Sequence, residues 1–210
     1  QQAGYTLVEL SISVAIISVL IITGLIGVPR ILDTNRVSTL VQQVSIANAN
    51  YSKLATSNGG SNTFATVGAN YVTTTSLALA SMGVWPDEAL LKNPATGISY
   101  GIQHPFGGNI YSRSTTTGIT NFMGVDAGYL LKLENIPAKN CFAVASAFGG
   151  TALQVGVDAP ATAAVGFIAA EPVTSVLVKP AGSPLNIASL ATQCALNPNV
   201  TKSIYLWFQY

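Results

Sequence analysis

The chain has 210 residues, of which 49% are hydrophobic and only 8% charged, with a formal net charge of +1. Soluble domains carry about a quarter of their residues as charges, so much of this surface is built to meet something other than water. The nine basic and eight acidic residues form no basic run. Counterion release from phosphates therefore has little to work with, and no specific nucleic-acid binding is expected.

The chain opens on an apolar run. No residue from Leu10 to Val28 is charged, and Glu9 stands just before it. At 1.5 Å per residue this run can cross a hydrocarbon core of about 30 Å. A signal-peptide core is shorter, about 7 to 15 residues, and ends at a small-residue cleavage site. Here the run flows past Gly24, Gly27 and Pro29 into a second pattern. Val37, Leu40, Val41, Val44, Ala47, Tyr51 and Leu54 recur at spacings of three and four, which is an amphipathic helix face. Arg36, Gln43, Asn50 and Lys53 mark the other face, and Ser57-Asn58-Gly59-Gly60 is a stop signal.

One helix is therefore expected from about Tyr5 to Thr56, about 75 to 80 Å long if unbroken. Residues 5–30 are its apolar half and residues 31–58 its amphipathic half, with a globular head over residues 59–210. Gly24, Gly27 and Pro29 are its weak points, because proline removes a backbone donor and glycine costs about 1 kcal/mol against alanine. They read either as an ordinary kink or as a place where helical bonds open when the chain leaves the bilayer.

Beyond Gly60 the composition turns to Ser, Thr, Asn, Gly and Ala between apolar residues. Thr73 to Met82 reads as a short helix. Val84-Trp85-Pro86-Asp87 reads as a turn, with a helical turn following through Leu91. Two extended runs flank Pro105-Phe106-Gly107-Gly108 as a hairpin. Tyr129 to Leu133 reads as a strand. Asn135-Ile136-Pro137 opens a helix that holds Cys141 and ends at Gly149-Gly150. Val173 to Val178 and Ser203 to Tyr210 are further strands. The last is apolar enough to lie inside a sheet. The fold class is α+β: a long N-terminal α-helix packed on a head with an antiparallel β-sheet.

Cys141 and Cys194 are the two cysteines. They are either two free buried thiols or a disulfide of an oxidising compartment. A bond would close a loop of about fifty residues, worth about 4 kcal/mol in chain entropy.

Little in the chain suggests catalysis. His104 lies beside Pro105 in a Gly-rich turn with no nucleophile motif, and reads as structural. Asp87 and Glu88 are adjacent, so on a helix they would not aim at one target. No phosphate loop, dinucleotide fingerprint or zinc motif occurs, and Asp126, Asp158 and Glu171 are too scattered for a calcium loop. No enzyme activity, metal or cofactor is expected. Trp85, Trp207 and Tyr210 read as packing groups rather than as a stacking surface.

A carboxylate at the centre of a membrane helix costs about 2.5 to 3.5 kcal/mol, and less near its end. Taken alone, Glu9 would be an interfacial acid reaching headgroup water. Its setting says more. Gly4-Tyr5-Thr6-Leu7-Val8-Glu9-Leu10, running straight into the apolar helix, resembles the processing site of type IV pilins. That resemblance implies a prepilin peptidase cutting after Gly4 and a Tyr5 that becomes an N-methylated N-terminus. It also implies that Glu9 neutralises a neighbouring subunit's terminal amine in a filament. Either Gln1 to Gly4 is leader sequence, or the chain matures upstream of Gly4; the motif favours cleavage before Tyr5.

"GVWPDEAL", "ISYGIQHPFGGNI", "LENIPAKNC" and "SIYLWFQY" are similar to stretches of the larger type IVb pilins, especially PilS-like pilins of conjugative thin pili. In such pilins a disulfide ties down the C-terminal region, which implies a Cys141–Cys194 bond here. The resemblance implies a major structural subunit that sits in the bacterial inner membrane and then in an extracellular filament. Its partners would be identical subunits, the prepilin peptidase, the inner-membrane assembly platform and, before assembly, lipid. The filament would serve conjugation, adhesion or aggregation. The alternatives are a minor pilin or tip adhesin with a receptor-binding head, and a secretion-system pseudopilin.

Overall fold

Helix α1 runs from Leu7 to Ser57 and continues through Gly24, Gly27 and Pro29. The computed structural model describes residues 6–57, 83–97, 99–114, 128–158 and 176–209. The helix expected over Thr73 to Met82 lies outside the described residues, as does Tyr210. The chain divides into two compact units, Gln1–Arg36 and Val37–Tyr210.

In the second unit the helical stripe is buried as its spacing requires. Leu40, Val44, Ala47 and Tyr51 are in the core, and Val37, Val41 and Leu54 pack at its edge. Gln43, expected on the polar face, is buried too. It stands three residues after Leu40 and four before Ala47, so it shares their face. Asn50 does reach outward, and its amide donates to the carbonyl of Val84 at 3.0 Å.

A single 3-10 turn, Asp87–Ala89, leads into β1 (Leu90–Lys92). The helical turn expected through Leu91 thus stops at Ala89. Leu90 is extended and pairs with Ile102, and Leu91 with Gly101, in β2 (Ser99–Ile102). Ladder pairing wins because a turn of three residues has no i to i+4 bond to hold it.

The main sheet has five strands: β3 (Ile110–Ser114), β4 (Gly128–Ile136), β5 (Gln154–Asp158), β6 (Val176–Lys179) and β7 (Lys202–Gln209). Their order is β3-β4-β7-β5-β6, and every pairing is antiparallel. The last strand is central, as its composition requires, with Leu206 opposite both Leu131 and Val155. Helix α2 (Ala138–Ala147) follows β4, and α3 (Ile187–Ala195) follows β6. Neither β5 nor α3 was expected from the sequence.

Strand alternation builds two clusters. One face sends Tyr129, Leu131, Leu133, Ile204, Leu206 and Phe208 into the core that holds the α1 stripe, α2 and α3. The opposite face holds Tyr111, Leu130, Tyr205 and Trp207 in a second buried cluster. Trp85 and Trp207 are both buried, in keeping with packing roles. A column of rings joins helix to sheet. Tyr51 stacks on Tyr129 at 4.0 Å, and Tyr129 on Phe208 at 5.4 Å. The Tyr129 hydroxyl donates to Asn48 at 2.6 Å.

Candidate functional site

Helix α1 is long and apolar enough to cross a membrane, and none of its apolar window, near the N-terminus, is buried. Over residues 7–28 its described apolar side chains are exposed on every side, among them Leu7, Val8, Ile12, Ile16, Leu20 and Val28. In lipid every polar group must find its partner within the segment. The hydroxyls here do so. Ser11 donates to the carbonyl of Val8, Ser13 to that of Glu9 and Ser18 to that of Val14, at 2.8, 2.8 and 2.7 Å. Thr23 donates to the carbonyls of Val19 and Leu20. With these bonds closed on the helix itself, the surface presented outward is hydrocarbon.

Glu9 is the acid of this segment, in its first turn. Its carboxylate accepts from the Thr6 amide and the Thr6 hydroxyl, both at 3.1 Å, while the Glu9 amide donates to the Thr6 hydroxyl oxygen at 3.3 Å. This is a reciprocal capping box, with Thr6 as the cap and Glu9 three residues later. Thr6 was missed in the sequence reading, although T-x-x-E before an apolar run is the signal for it. Pro29 lies inside the helix, where its missing N–H removes one helical bond. Gly24 has open space around it, so a side chain there would meet nothing.

In the head, Cys141 of α2 is bonded to Cys194 of α3 across 53 residues of sequence. Two lysines, not singled out from the sequence, brace the same region. The fully buried Lys202 donates its ammonium to the carbonyl of Leu196, the cap residue that follows α3. A cation there also favours the negative end of the helix. Lys179 donates to the carbonyl of Ala152 at 2.5 Å. Asn186 caps the start of α3, its side chain accepting from the Ser189 amide at 3.0 Å.

Other buried polar groups lie on and beside the sheet. Lys132 and Glu134, two apart on β4, pair at 3.0 Å, and the Lys132 ammonium lies 5.7 Å from the centre of the Tyr205 ring. Burial, foremost, pushes the Tyr111 hydroxyl above its ordinary range. His104 is buried beside this network, and burial pushes its imidazole below the ordinary value. Asp87 lies on the surface and pairs with Lys92 at 3.2 Å. Among the described residues no group of three or more His, Cys, Asp or Glu side chains could hold a metal.

Residues 1–25 match the family described as the prokaryotic N-terminal methylation motif. No curated protein matches the chain. Among solved structures, TcpA, a type IV pilin from Vibrio cholerae El Tor biotype, is similar at 16% identity and a TM-score of 0.51, covering 82% of this chain and 98% of that one. A type IV b pilin from Salmonella typhi is similar at 12% identity and a TM-score of 0.47, covering 80% and 99%. The chain thus carries the N-terminal methylation motif on a fold like that of a type IV pilin, a long helix with an antiparallel sheet in its head.

Proposed function

We propose that this chain is the structural subunit of a type IV pilus, held in the bacterial inner membrane before assembly and then polymerised into an extracellular filament. The observation that carries this reading is α1 from Leu7 to Val28. Its described side chains are exposed on all sides, its hydroxyls are bonded internally, and Glu9 is its single charge. Such a surface suits lipid first and identical helices afterwards. Moving between the two replaces one apolar setting by another, and contacts with many copies then hold the fibre. The terminal motif matched over residues 1–25 supports the same reading.

In this account a prepilin peptidase removes Gln1 to Gly4, and Tyr5 becomes the methylated N-terminus. Residues 5–30 enter the filament core, residues 31–58 carry the head, and residues 59–210 form the outer wall. A terminal amine has a pKa of about 8 and is charged at neutral pH. Glu9 leaves its bonds to Thr6 and pairs with the amine of a neighbour. An unpaired carboxylate in the core would be heavily penalised, so the pair sets register whatever its net energy. Gly24, Gly27 and Pro29 are where α1 opens as it leaves the bilayer, and the inner-membrane assembly platform drives that step. The Cys141–Cys194 bond keeps the C-terminal region shut outside the cell. The strings "ISYGIQHPFGGNI" and "SIYLWFQY" support a type IVb, PilS-like subunit of a conjugative pilus. The subunit is neither an enzyme nor a cofactor carrier.

The test is Glu9→Ala in the native host. The variant is expected at wild-type level in the membrane fraction, while the yield of sheared filament falls at least about tenfold, the factor that about 1.4 kcal/mol carries. Normal filament yield removes the register role. Wild-type filaments are expected to consist mainly of this chain; its presence only in trace amounts favours the tip adhesin instead.

A further inference from the structure

The loop from Gln103 to Asn109 joins β2 to β3, and its two end residues face each other in an antiparallel bridge. Within it the His104 amide donates to the Gly108 carbonyl at 3.0 Å, and the Gly107 amide to the His104 carbonyl at 2.8 Å. The Gln103 side chain donates to the Gly107 carbonyl at 3.0 Å. The His104 ring is only 2% exposed, and both of its nitrogens are engaged. Nε2 lies 2.6 Å from the backbone carbonyl oxygen of Glu134, and the Phe106 amide points at Nδ1 from 3.2 Å.

These partners dictate the protonation state. A carbonyl can only accept, so Nε2 carries the hydrogen. A backbone amide can only donate, so Nδ1 offers its lone pair. The ring that fits is neutral. The fit also needs Gly108, where a Cβ would stand 1.9 Å from the Glu134 carbonyl oxygen and 2.5 Å from His104 Nε2. Alongside, the Glu134 amide donates to the Asn109 carbonyl at 3.0 Å, so the loop is fastened to β4 from both sides. Phe106 packs part-buried against the main core, its ring edge-on to His104 at 6.0 Å.

A second proton can enter only at Nδ1. It would put an N–H directly against the Phe106 N–H, two donors with no acceptor between them. We propose that the Gln103–Asn109 loop is an acid-opened clasp, shut by the neutral His104 ring and released when that ring takes up a second proton. Release frees Phe106 from the core edge, so acid turns a closed loop into one that presents an aromatic side chain.

The surrounding charges leave this logic intact. On β4, Glu134 acts on the ring and favours its protonated form, but Glu134 is itself paired with Lys132 at 3.0 Å. On β3, Tyr111 is a neutral phenol whose hydroxyl accepts from the Asn109 amide. Gln103 to Asn109 carries no other charge. On the segment before β2, Asp87 and Lys92 pair with each other, and Glu88 does not contribute at the ring. Burial is the largest influence and holds the imidazole below its ordinary value, against the opposing pull of Glu134. The closed form therefore binds fewer protons than the open one. Closure is fully present above the ordinary histidine value, about 6.5, and is lost as pH falls from there through the closed-state value.

The clasp does not depend on the filament reading and is tested on the full chain, isotope-labelled in detergent micelles. Nitrogen NMR of the His104 ring at pH 7.5 is expected to show the Nε2–H tautomer, with its titration midpoint below that of a free histidine. Amide protection of Phe106, Gly107 and Glu134 is expected to fall about tenfold per pH unit between the two midpoints while β7 stays protected. His104→Gln keeps a donor toward Glu134 and cannot titrate, so the acid-dependent loss should vanish. An Nδ1–H ring, a midpoint at or above the ordinary value, or a titration without loss of loop protection overturns the clasp. Each is read on the wild-type chain, whatever the variant's own folding.

Discussion

The apolar half of α1 and the central strands β4 and β7 are alike in hydrophobic character and opposite in surroundings. Ile16, in the middle of the helix segment, is 56% exposed, whereas Leu206 of β7 is 0% exposed. The reason lies in the backbone. The helix closes its own hydrogen bonds, and Ser13 and Ser18 close theirs on it. It needs no neighbouring segment for these bonds. Strand β7 has no such independence, because its amides and carbonyls are satisfied only between β4 and β5. Hydrophobic composition marks what must avoid water. Backbone satisfaction decides which part is complete without a neighbouring strand.

The contrast can be broken by substitution. The largest effect is expected from Cys141→Ala with Cys194→Ala, which removes the cross-link between α2 and α3. It should lower the unfolding free energy by about 4 kcal/mol, read in urea by fluorescence of Trp85 and Trp207, both buried in the head. Two alkylatable thiols in the native protein would contradict the pairing itself. Next comes Leu206→Ala, expected to cost about 2–5 kcal/mol in the same assay. Ile16→Ala should change head unfolding by less than about 0.5 kcal/mol, because no apolar core surrounds it. Equal costs for Leu206→Ala and Ile16→Ala would erase the distinction.

The two regions also differ in how far the sequence disclosed them. The course of α1 was legible because an uncharged run and a three-four spacing are long, redundant signals, and the central place of β7 followed from its unbroken apolar run. Gln43 was misassigned because its residue type outweighed its position between Leu40 and Ala47. Leu90 and Leu91 were read into a helical turn because their partners, Ile102 and Gly101, lie across the sheet. Strand β5, with Gly156 at its centre, carries a weak local preference and is set by the strands it pairs with. Helix α3 went unrecognised although its Asn186 cap and the spacing of Ile187, Leu190 and Cys194 are helix signals. At the start of α1 Glu9 stood out as a charge, while Thr6 showed its part only once the helix start was drawn.

The most direct test of the central claim is a reconstruction of the native fibre at side-chain resolution. Residues 7–28 of many copies are expected to be buried together along the axis, with Glu9 within ion-pairing distance of a neighbour's terminal amine. A fibre in which these residues face solvent or lipid, or in which Glu9 meets no amine, would contradict the account.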